Sequence, residues 1–363
     1  MSGRVAPALA VERLDVLFGT TPGVNSGLRN ISVAVGGGER LAVLGPSGVG
    51  KTTLLRALAG LAPVAAGRIA VRGADVTALP PERRDMVYLH QTPVLFEHLS
   101  VAENVAFPLR VRRVSNDAVR ERVTAALAAV RLPGLEHRAP HMLSGGQRHR
   151  VALARALVAR PAGLRLAEPL SALDPTLRDE VREAIADVHD AADALDHAPA
   201  LVLVTHDVDD AGLLADRVAV LLAGRIAQLA APATLFASPA TLGVAHLLGT
   251  YQTLPALVRA DGAVDCALGT IASHAVLEPG AAAVVAFRRD ALTVRSVASE
   301  PCAVAARVVG IRHRAHGASV VLRLESAPGT PMLEAELRGA VAPGVGELCG
   351  VALERRAALV FPA

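Results

Sequence analysis

A glycine-rich segment contains the only lysine of the chain. Gly45 and Gly50 are separated by four residues, and Lys51 and Thr52 follow directly. All other members of the 37 Lys and Arg residues are arginine, which suggests that position 51 needs a compact ammonium rather than a wide planar guanidinium. Backbone amides of such a loop can approach a phosphate, and the threonine hydroxyl can reach a magnesium ion. The pattern predicts a phosphate-binding loop, if a strand precedes it and a helix follows.

The flanking residues have the required patterns. The apolar run Leu41 to Leu44 predicts a buried strand, and Thr52 to Leu58 predicts a helix. A chance match in a glycine-rich turn is the alternative, and this strand–loop–helix context argues against it. The residues that we predict to bind a nucleotide through its phosphates are Gly45, Pro46, Ser47, Gly48, Val49, Gly50, Lys51, Thr52 and Thr53.

A second pair of glycines lies about 95 residues further along the chain. Ser144 precedes Gly145, Gly146 and Gln147, and apolar residues then recur with helical spacing. The serine can cap this helix, and the amides at the helix start are open to an anion. One nucleotide in one loop does not require a second anion-binding segment, so the two segments need a joint explanation.

Taken together, the two segments resemble the ATP-binding subunits of ATP-binding-cassette (ABC) transporters, whose signature sequence is LSGGQ. The resemblance covers roughly residues 11–250. It implies a nucleotide-binding core with a helical subdomain at about residues 92–160, and it implies ATP and Mg²⁺ as cofactors. It also implies a head-to-tail dimer, in which Ser144–Gln147 of one copy close over the ATP bound to the other.

Five further residues match family positions one by one. Phe18 takes the place of an aromatic side chain that stacks on adenine. Gln91 matches the glutamine that senses magnesium and the attacking water, in a loop whose flanks touch the membrane subunits. Glu168 matches the residue that orients or deprotonates the water, His206 contacts the γ phosphate in relatives, and Asp174 matches the D-loop aspartate. Taken singly, Phe18, Gln91 and His206 could also be ordinary structural residues.

One predicted strand departs from the family pattern. In relatives this strand is wholly apolar and ends in Asp-Glu, whereas here Ala167 replaces the aspartate and Arg165 interrupts the apolar run. The aspartate helps to hold magnesium in the family, so Thr52 and Gln91 are left as the metal ligands. An unpaired arginine is costly in a strand that is buried on both faces. We therefore expect ATP to bind, and hydrolysis to be slow and to need high magnesium.

The chain after about residue 250 has a different pattern. Short alternating runs such as AVVAFRR and SVVLRLES predict a small all-β barrel or sandwich, which we assign as OB-like. It resembles, more loosely, the accessory domain on ATPases of importers for oxyanions, iron, polyamines and sugars, with Arg289 and Asp290 where those domains have Pro-Glu. The predicted organisation is an α/β nucleotide-binding domain over residues 1–250 and a β domain over residues 251–363.

Composition excludes several classes of protein. The formal net charge is only +3 and aromatic residues make up 2%, so we expect no nucleic-acid partner. Prolines and polar residues interrupt the longest uncharged stretch, 226–258, which argues against a spanning helix. Charged residues come too early in the first 15 residues for a secretory apolar segment, so we expect no signal peptide. Three widely spaced cysteines fit reduced thiols better than disulfides, namely Cys266, Cys302 and Cys349.

A further cluster could hold a metal ion. His189, Asp193 and His197 recur at a spacing of four residues on a predicted helix, which would place them on one face. The alternative is a solvated helix end, and we favour it because acidic exposed faces are common.

Two functional hypotheses follow. The leading one is an ATPase that powers solute import from the cytoplasmic face of the cell membrane, as a homodimer with permease subunits and a substrate-binding protein. The alternative is a regulatory or sequestering protein that closes on ATP with weak or no hydrolysis. A cassette protein that acts on DNA or ribosomes is disfavoured by the single cassette and by the C-terminal β domain.

Overall fold

The chain folds into two compact units, Met1–Ala237 and Ser238–Ala363. Helix 242–248 therefore belongs to the second unit. The end of the nucleotide-binding domain at residue 250, which the sequence predicts, stays a prediction. The residues that the computed structural model describes are 6–17, 27–89, 94–167, 178–186, 199–249, 251–273, 276–296, 304–314, 317–325, 329, 332–337 and 343–363.

The first unit alternates strands and helices. Its described strands are β1 (Leu9–Leu17), β2 (Gly27–Val35), β3 (Arg40–Leu44), β4 (Ala66–Val71), β5 (Ala74–Asp75), β6 (Met86–Leu89), β7 (Gly163–Ala167), β8 (Ala200–Thr205), β9 (Arg217–Leu222) and β10 (Arg225–Ala230). Its described helices are α1 (Lys51–Ala59), α2 (Val101–Val111), α3 (Asn116–Ala129), α4 (Gly145–Val158), α5 (178–186), α6 (Val208–Leu214) and α7 (Pro232–Ala237).

Two sheets form the framework of this unit. One has the order β2-β1-β4-β5, and its ladders are antiparallel. The other has the order β10-β9-β3-β8-β7-β6, in which every ladder except β9–β10 is parallel. Apolar residues of α1 and of both sheets share one core, and α2, α3 and α4 cover the opposite face of the second sheet. The fold is therefore the α/β core with a helical subdomain that the sequence predicts.

A buried arginine closes the C-terminal end of α1. Arg84 is 4% exposed, and its guanidinium donates to the carbonyl oxygens of Ala57, Thr77 and Leu79, each at 2.8 Å. The cation lies at the negative end of the helix dipole, and the Ala57 carbonyl oxygen accepts from it in addition to the Gly60 amide, which lies 3.0 Å away. Gly60, which follows α1 with φ 77°, leaves room for it, because an added Cβ would lie 2.6 Å from Arg84 Nε.

The second unit is almost entirely β structure. It contains α8 (Leu242–Leu248) and the described strands β11 (Tyr251–Val258), β12 (Val264–Cys266), β13 (Gly269–Ile271), β14 (Ala282–Arg288), β15 (Leu292–Ser296), β16 (Val304–Arg314), β17 (Gly317–Leu324), β18 (Leu333–Leu337), β19 (Leu348–Leu353) and β20 (Leu359–Pro362). Two antiparallel sheets, β13-β12-β11-β14-β20 and β15-β19-β16-β17-β18, share one apolar core around Phe287. This arrangement is consistent with the predicted OB-like barrel.

Both unusual residues of the second unit form ion pairs. Arg289 Nη2 lies 3.0 Å from Oε2 of Glu334, and the other carboxylate oxygen, Oε1, accepts a hydrogen bond of 2.7 Å from the buried Ser319 hydroxyl. Asp290 pairs with Arg288 at 3.2 Å. The two departures from the family pattern thus have charged partners within the β domain.

The uncharged stretch 226–258 is divided among several elements. It contributes to β10, α7, α8 and β11 rather than to one helix. Among the described helices, none combines the length and the apolar composition that crossing a bilayer requires. Cys266 and Cys349 are free thiols within the described part of the chain, and Cys302 lies outside it.

Arg165 lies inside β7 without breaking the strand. It faces Tyr88 of β6 on one side and Val202 of β8 on the other, and it is 1% exposed. Its Nε and Nη1 atoms have no hydrogen-bond partner among the described residues. Burial, and then the Arg84 guanidinium, lower the pKa of Arg165 to about 10. Parallel ladders on both sides hold the backbone of β7, and the arginine is buried in the strand as predicted, so the cost falls on the guanidinium.

We predict that Arg165→Met raises the free energy of unfolding at neutral pH by about 1–4 kcal/mol. The variant replaces a buried cation, whose Nε and Nη1 atoms have no partner among the described residues, by an apolar chain of similar length. The folded state holds the proton more weakly than the unfolded state, so the penalty is fully present at neutral pH. The advantage of the variant should therefore shrink as the pH rises through about 10. Urea unfolding from pH 7 to pH 10.5 measures both effects.

The matched control is Arg225→Met, which removes an exposed arginine from a strand of the same sheet. This change should alter the stability by less than about 0.5 kcal/mol. An Arg165→Met protein less stable than the parent at pH 7 would show that the guanidinium is well compensated.

Candidate nucleotide-binding site

The glycine-rich loop folds around the lysine ammonium. Lys51 Nζ donates to the carbonyl oxygens of Gly45 at 2.7 Å and Pro46 at 3.1 Å, and Lys51 is 5% exposed. Gly48 and Gly50 have φ values of 80° and 109°, a region that side chains rarely adopt. The loop thus encloses one small cation, and the backbone makes the enclosure.

The backbone amides at the start of α1 are open to a ligand. The residue before the helix is Gly50, and no side chain among the described residues caps this end or places a carboxylate in its first turn. The first amides of a helix have no intrahelical partner, and they carry the positive end of its dipole. Thr52 is exposed at the same place. The geometry suits an anion with an accompanying hard cation.

Packing requires glycine at the first loop position. A Cβ added to Gly45 would lie 2.6 Å from the carbonyl oxygen of Leu221, in the neighbouring strand β9. Because that neighbour is backbone, it cannot move aside as a flexible side chain could. Gly45 is therefore fixed by close approach of two chains, whereas Gly48 and Gly50 are fixed by their conformation.

The second glycine pair starts α4, as predicted. Ser144 Oγ accepts from the Gln147 amide at 3.2 Å, and Gln147 Oε1 accepts from the Ser144 amide at 3.0 Å, so the two residues form a capping box. Ser144 and Gly145 are exposed, whereas Gly146 is buried. The helix start is therefore ordered and faces outward.

His206 lies at the same edge of the sheet as the glycine loop. It directly follows β8, which is the parallel neighbour of β3, and Leu44 pairs with Thr205. On the other side of β8, Ala167 is in register with Val204. Parallel strands bring their carboxyl ends to one edge, so the loop, the end of β7 and His206 lie together, and His206 is exposed.

Ion pairs hold the segment after His206 against α5. Asp207 caps α6 by accepting from the amides of Asp209 and Asp210 at 2.9 and 3.1 Å. Arg178 on α5 pairs with Asp207 at 3.2 Å, and Arg182 pairs with Asp210. Asp210 is 2% exposed, and burial raises its pKa. The start of α6 is thus fixed relative to the helix that follows the predicted D-loop.

The remaining predicted residues lie outside the described part of the chain. For Ala167 the structure describes the backbone at the end of β7. The residues that it does not describe are Phe18, Gln91, Glu168, Asp174, His189, Asp193 and His197.

The structure also shows an apolar groove that the sequence did not reveal. It has a volume of about 420 Å³ and lies between β6, the segment 94–100, α2 and α4. Phe96 and Phe107 pack against each other there with ring centroids 4.6 Å apart, and Val94 is 64% exposed. The sequence signal that could have indicated this groove is the occurrence of Phe96 and Phe107, two of the six phenylalanines of the chain, shortly after Gln91.

Comparison with known proteins identifies the family. A family model described as ABC transporter matches residues 28–171. The spermidine/putrescine import ATP-binding protein PotA of Acidothermus cellulolyticus is 42% identical over 274 residues, which are 75% of this chain and 70% of that protein. The chain belongs to the family of ABC import ATP-binding subunits.

Other relatives carry different names. The import subunit for sn-glycerol 3-phosphate, UgpC of Chromohalobacter salexigens, is 38% identical over 81% of this chain and 79% of its own length. The sulfate/thiosulfate subunit CysA of Xylella fastidiosa is 45% identical over 65% and 67%. A solved structure of CbiO1 from Clostridium perfringens, part of the ABC transporter complex CbiONQ, superimposes with a TM-score of 0.57 at 30% identity and covers 64% of this chain and 92% of that one.

The family match decides between the two functional hypotheses. This ABC import subunit binds ATP and hydrolyses it to power the import of a solute. The alternative of a regulatory or sequestering protein receives no support from these comparisons. The expected ATPase class is confirmed.

We predict that Lys51→Ala abolishes ATP binding and that Lys51→Arg weakens it nearly as much. The loop holds Nζ between two carbonyl oxygens that lie 2.7 and 3.1 Å away, and a planar guanidinium is too wide for this space. Isothermal titration with ATP measures the affinity. An arginine variant that binds ATP like the parent would contradict the geometric explanation of the single lysine.

Proposed function

We propose that the segment Gly45–Thr53 holds the phosphates of ATP. The observation that carries this proposal is the enclosed Lys51 ammonium beside the uncapped start of α1, because these groups provide a positive charge and open amides at one place. Thr52 and Gln91 are the proposed Mg²⁺ ligands. The exposed Thr52 hydroxyl fits a hard cation. When bound, Mg²⁺ neutralises phosphate charge.

The residues at the edge of the sheet take the catalytic roles in this proposal. Glu168 orients or deprotonates the attacking water, Gln91 helps to position it, and His206 contacts the γ phosphate. The position of His206 directly after β8, the strand paired with β3, supports its role. Phe18 stacks on the adenine. Phosphoryl transfer needs mainly positioning and charge stabilisation, which such a set of residues can supply.

The working unit that we propose is a homodimer. Ser144, Gly145, Gly146 and Gln147 of one copy close over the ATP of the other, and Asp174 lies at the same contact. In the structure the side chains of Ser144 and Gln147 are used to cap α4, and Ser144 and Gly145 are exposed. The chain has two segments that can contact a nucleotide, and a dimer in which each ATP lies between the two copies uses both of them.

The apolar groove beside the segment 94–100 is the proposed contact surface for the permease. The groove is exposed and contains two packed phenylalanines. The segment 94–100 that borders it comes shortly after Gln91 in the sequence, and the loop of this glutamine touches membrane subunits in the family. A substrate-binding protein completes the importer. We place the subunit on the cytoplasmic face of the cell membrane, where ATP is available.

In this proposal, other subunits of the transporter determine which solute is imported. Relatives with 38–45% identity have names that specify polyamines, sulfate or glycerol phosphate. These solutes differ in the sign of their charge, yet the ATP-binding subunits remain similar. We therefore assign selectivity to the permease and to the substrate-binding protein, and energy supply to this chain.

We predict that Glu168→Gln traps ATP and shifts the protein toward a dimer, because closure needs bound ATP and opening needs hydrolysis. Size-exclusion chromatography with ATP and magnesium should show the larger species, and omission of ATP provides the control. If this variant stays monomeric at every protein concentration while ATP binds, the proposed head-to-tail dimer is wrong.

We predict that the parent hydrolyses ATP slowly and needs high magnesium, because Ala167 lacks the carboxylate that relatives provide. Loss of a group that supports a metal typically costs about 10–100-fold in affinity or activity. Ala167→Asp should lower the magnesium concentration at half-maximal ATPase activity by about that factor. A parent that is already saturated at low magnesium would falsify this idea and would point to another ligand.

A further inference from the structure

Arg155 connects α4 to the segment that borders the groove. Its Nη2 atom donates to the carbonyl oxygen of Val94 at 2.6 Å, and its guanidinium carbon lies 5.4 Å from the centroid of the Phe96 ring. The first contact is a charge-assisted hydrogen bond and the second is a cation–π contact. Burial lowers the pKa of Arg155, but arginine stays charged at neutral pH. One side chain thus makes two contacts with the same segment.

The segment 94–100 is itself held together by a buried amide. Asn104, which is fully buried, accepts from the Phe96 amide at 2.8 Å. Its Nδ2 group lies 3.0 Å from the carbonyl oxygens of Phe96, Leu99 and Ser100. A displacement of Phe96 is therefore transmitted to Leu99 and Ser100, because one buried side chain binds all three residues.

A second arginine of α4 reaches the same segment more weakly. Arg148 lies 3.4 Å from the Glu97 carboxylate, and the two side chains are 32% and 57% exposed. Exposed ion pairs contribute little, since water and salt screen them. Arg155 therefore forms the stronger of these two connections.

We infer that Arg155 is a positioning residue that makes the segment 94–100 move together with α4. Because α4 begins at Ser144–Gln147, Arg155 couples the groove to the surface that closes over ATP. This inference rests on the proposed function, in which those residues bind ATP in a second copy and the groove receives the permease. The coupling acts in both directions, as any linkage between two sites must.

Hydrogen exchange of the full chain, with and without ATP and magnesium, tests the coupling. In the parent, ATP should slow exchange in the peptide that covers 94–100 by about 10-fold, because closure over ATP restrains α4 and the Arg155 hydrogen bond, whose strength limits the effect, passes this restraint to the segment. In Arg155→Met this ATP response should disappear, while ATP still protects the peptide 45–53. Arg155→Lys, which keeps the charge but loses the fork, should restore part of the response.

The control is Arg148→Met, which removes the exposed ion pair to the same segment. It should change the ATP response of 94–100 by less than about 5-fold. A purely structural role for Arg155 would accelerate exchange of 94–100 equally with and without ATP, which would leave the ATP response intact and overturn the inference. If ATP fails to protect 45–53 in the parent, the proposed ATP site is wrong. If 45–53 is protected while 94–100 does not respond, only the coupling is wrong.

Discussion

Parallel pairing of β3 with β8 and β9, and of β8 with β7, is the constraint on which the site depends. These strands are buried on both faces, and the pairing places their carboxyl ends at one edge. The loop before α1, the end of β7 and His206 then meet, although they are far apart in the sequence. A shift of one residue in any of these ladders would turn each side chain to the other face of the sheet.

Local signals in the sequence predicted much of this framework. The strand predicted over residues 41–44 and the helix predicted over residues 52–58 are present, because an apolar run before a glycine-rich loop and helical spacing after it have few other structures available. The signature helix begins at Gly145, directly after the predicted cap Ser144, and Ser144 and Gln147 form a capping box at its start. The glycine loop was recognisable because three requirements, namely spacing, strand and helix, coincide there.

Contacts between distant residues were not predictable from the sequence. Arg84 reaches α1 across 27 residues, and Arg155 reaches Val94 across 61, and nothing in the local sequence distinguishes them from exposed arginines. Arg165 was recognised as a costly group in a buried strand, and it is buried there, but the sequence did not reveal the Arg84 guanidinium that helps to lower its pKa. Such outcomes depend on which groups are brought together by the fold.

At three positions, the shape of the head group explains which basic residue is present. The planar guanidinium of Arg84 donates to several carbonyl oxygens at once. That of Arg155 contacts a carbonyl oxygen and an aromatic ring, and both arrangements suit the several donors of arginine. Where two loop carbonyls leave only a narrow space, the ammonium of Lys51 is used. This division has a consequence for chemical labelling. Lys51 is the only side-chain amine in 363 residues, so an amine-selective reagent has a single side-chain target, and its rate of reaction reports directly on the state of the phosphate loop.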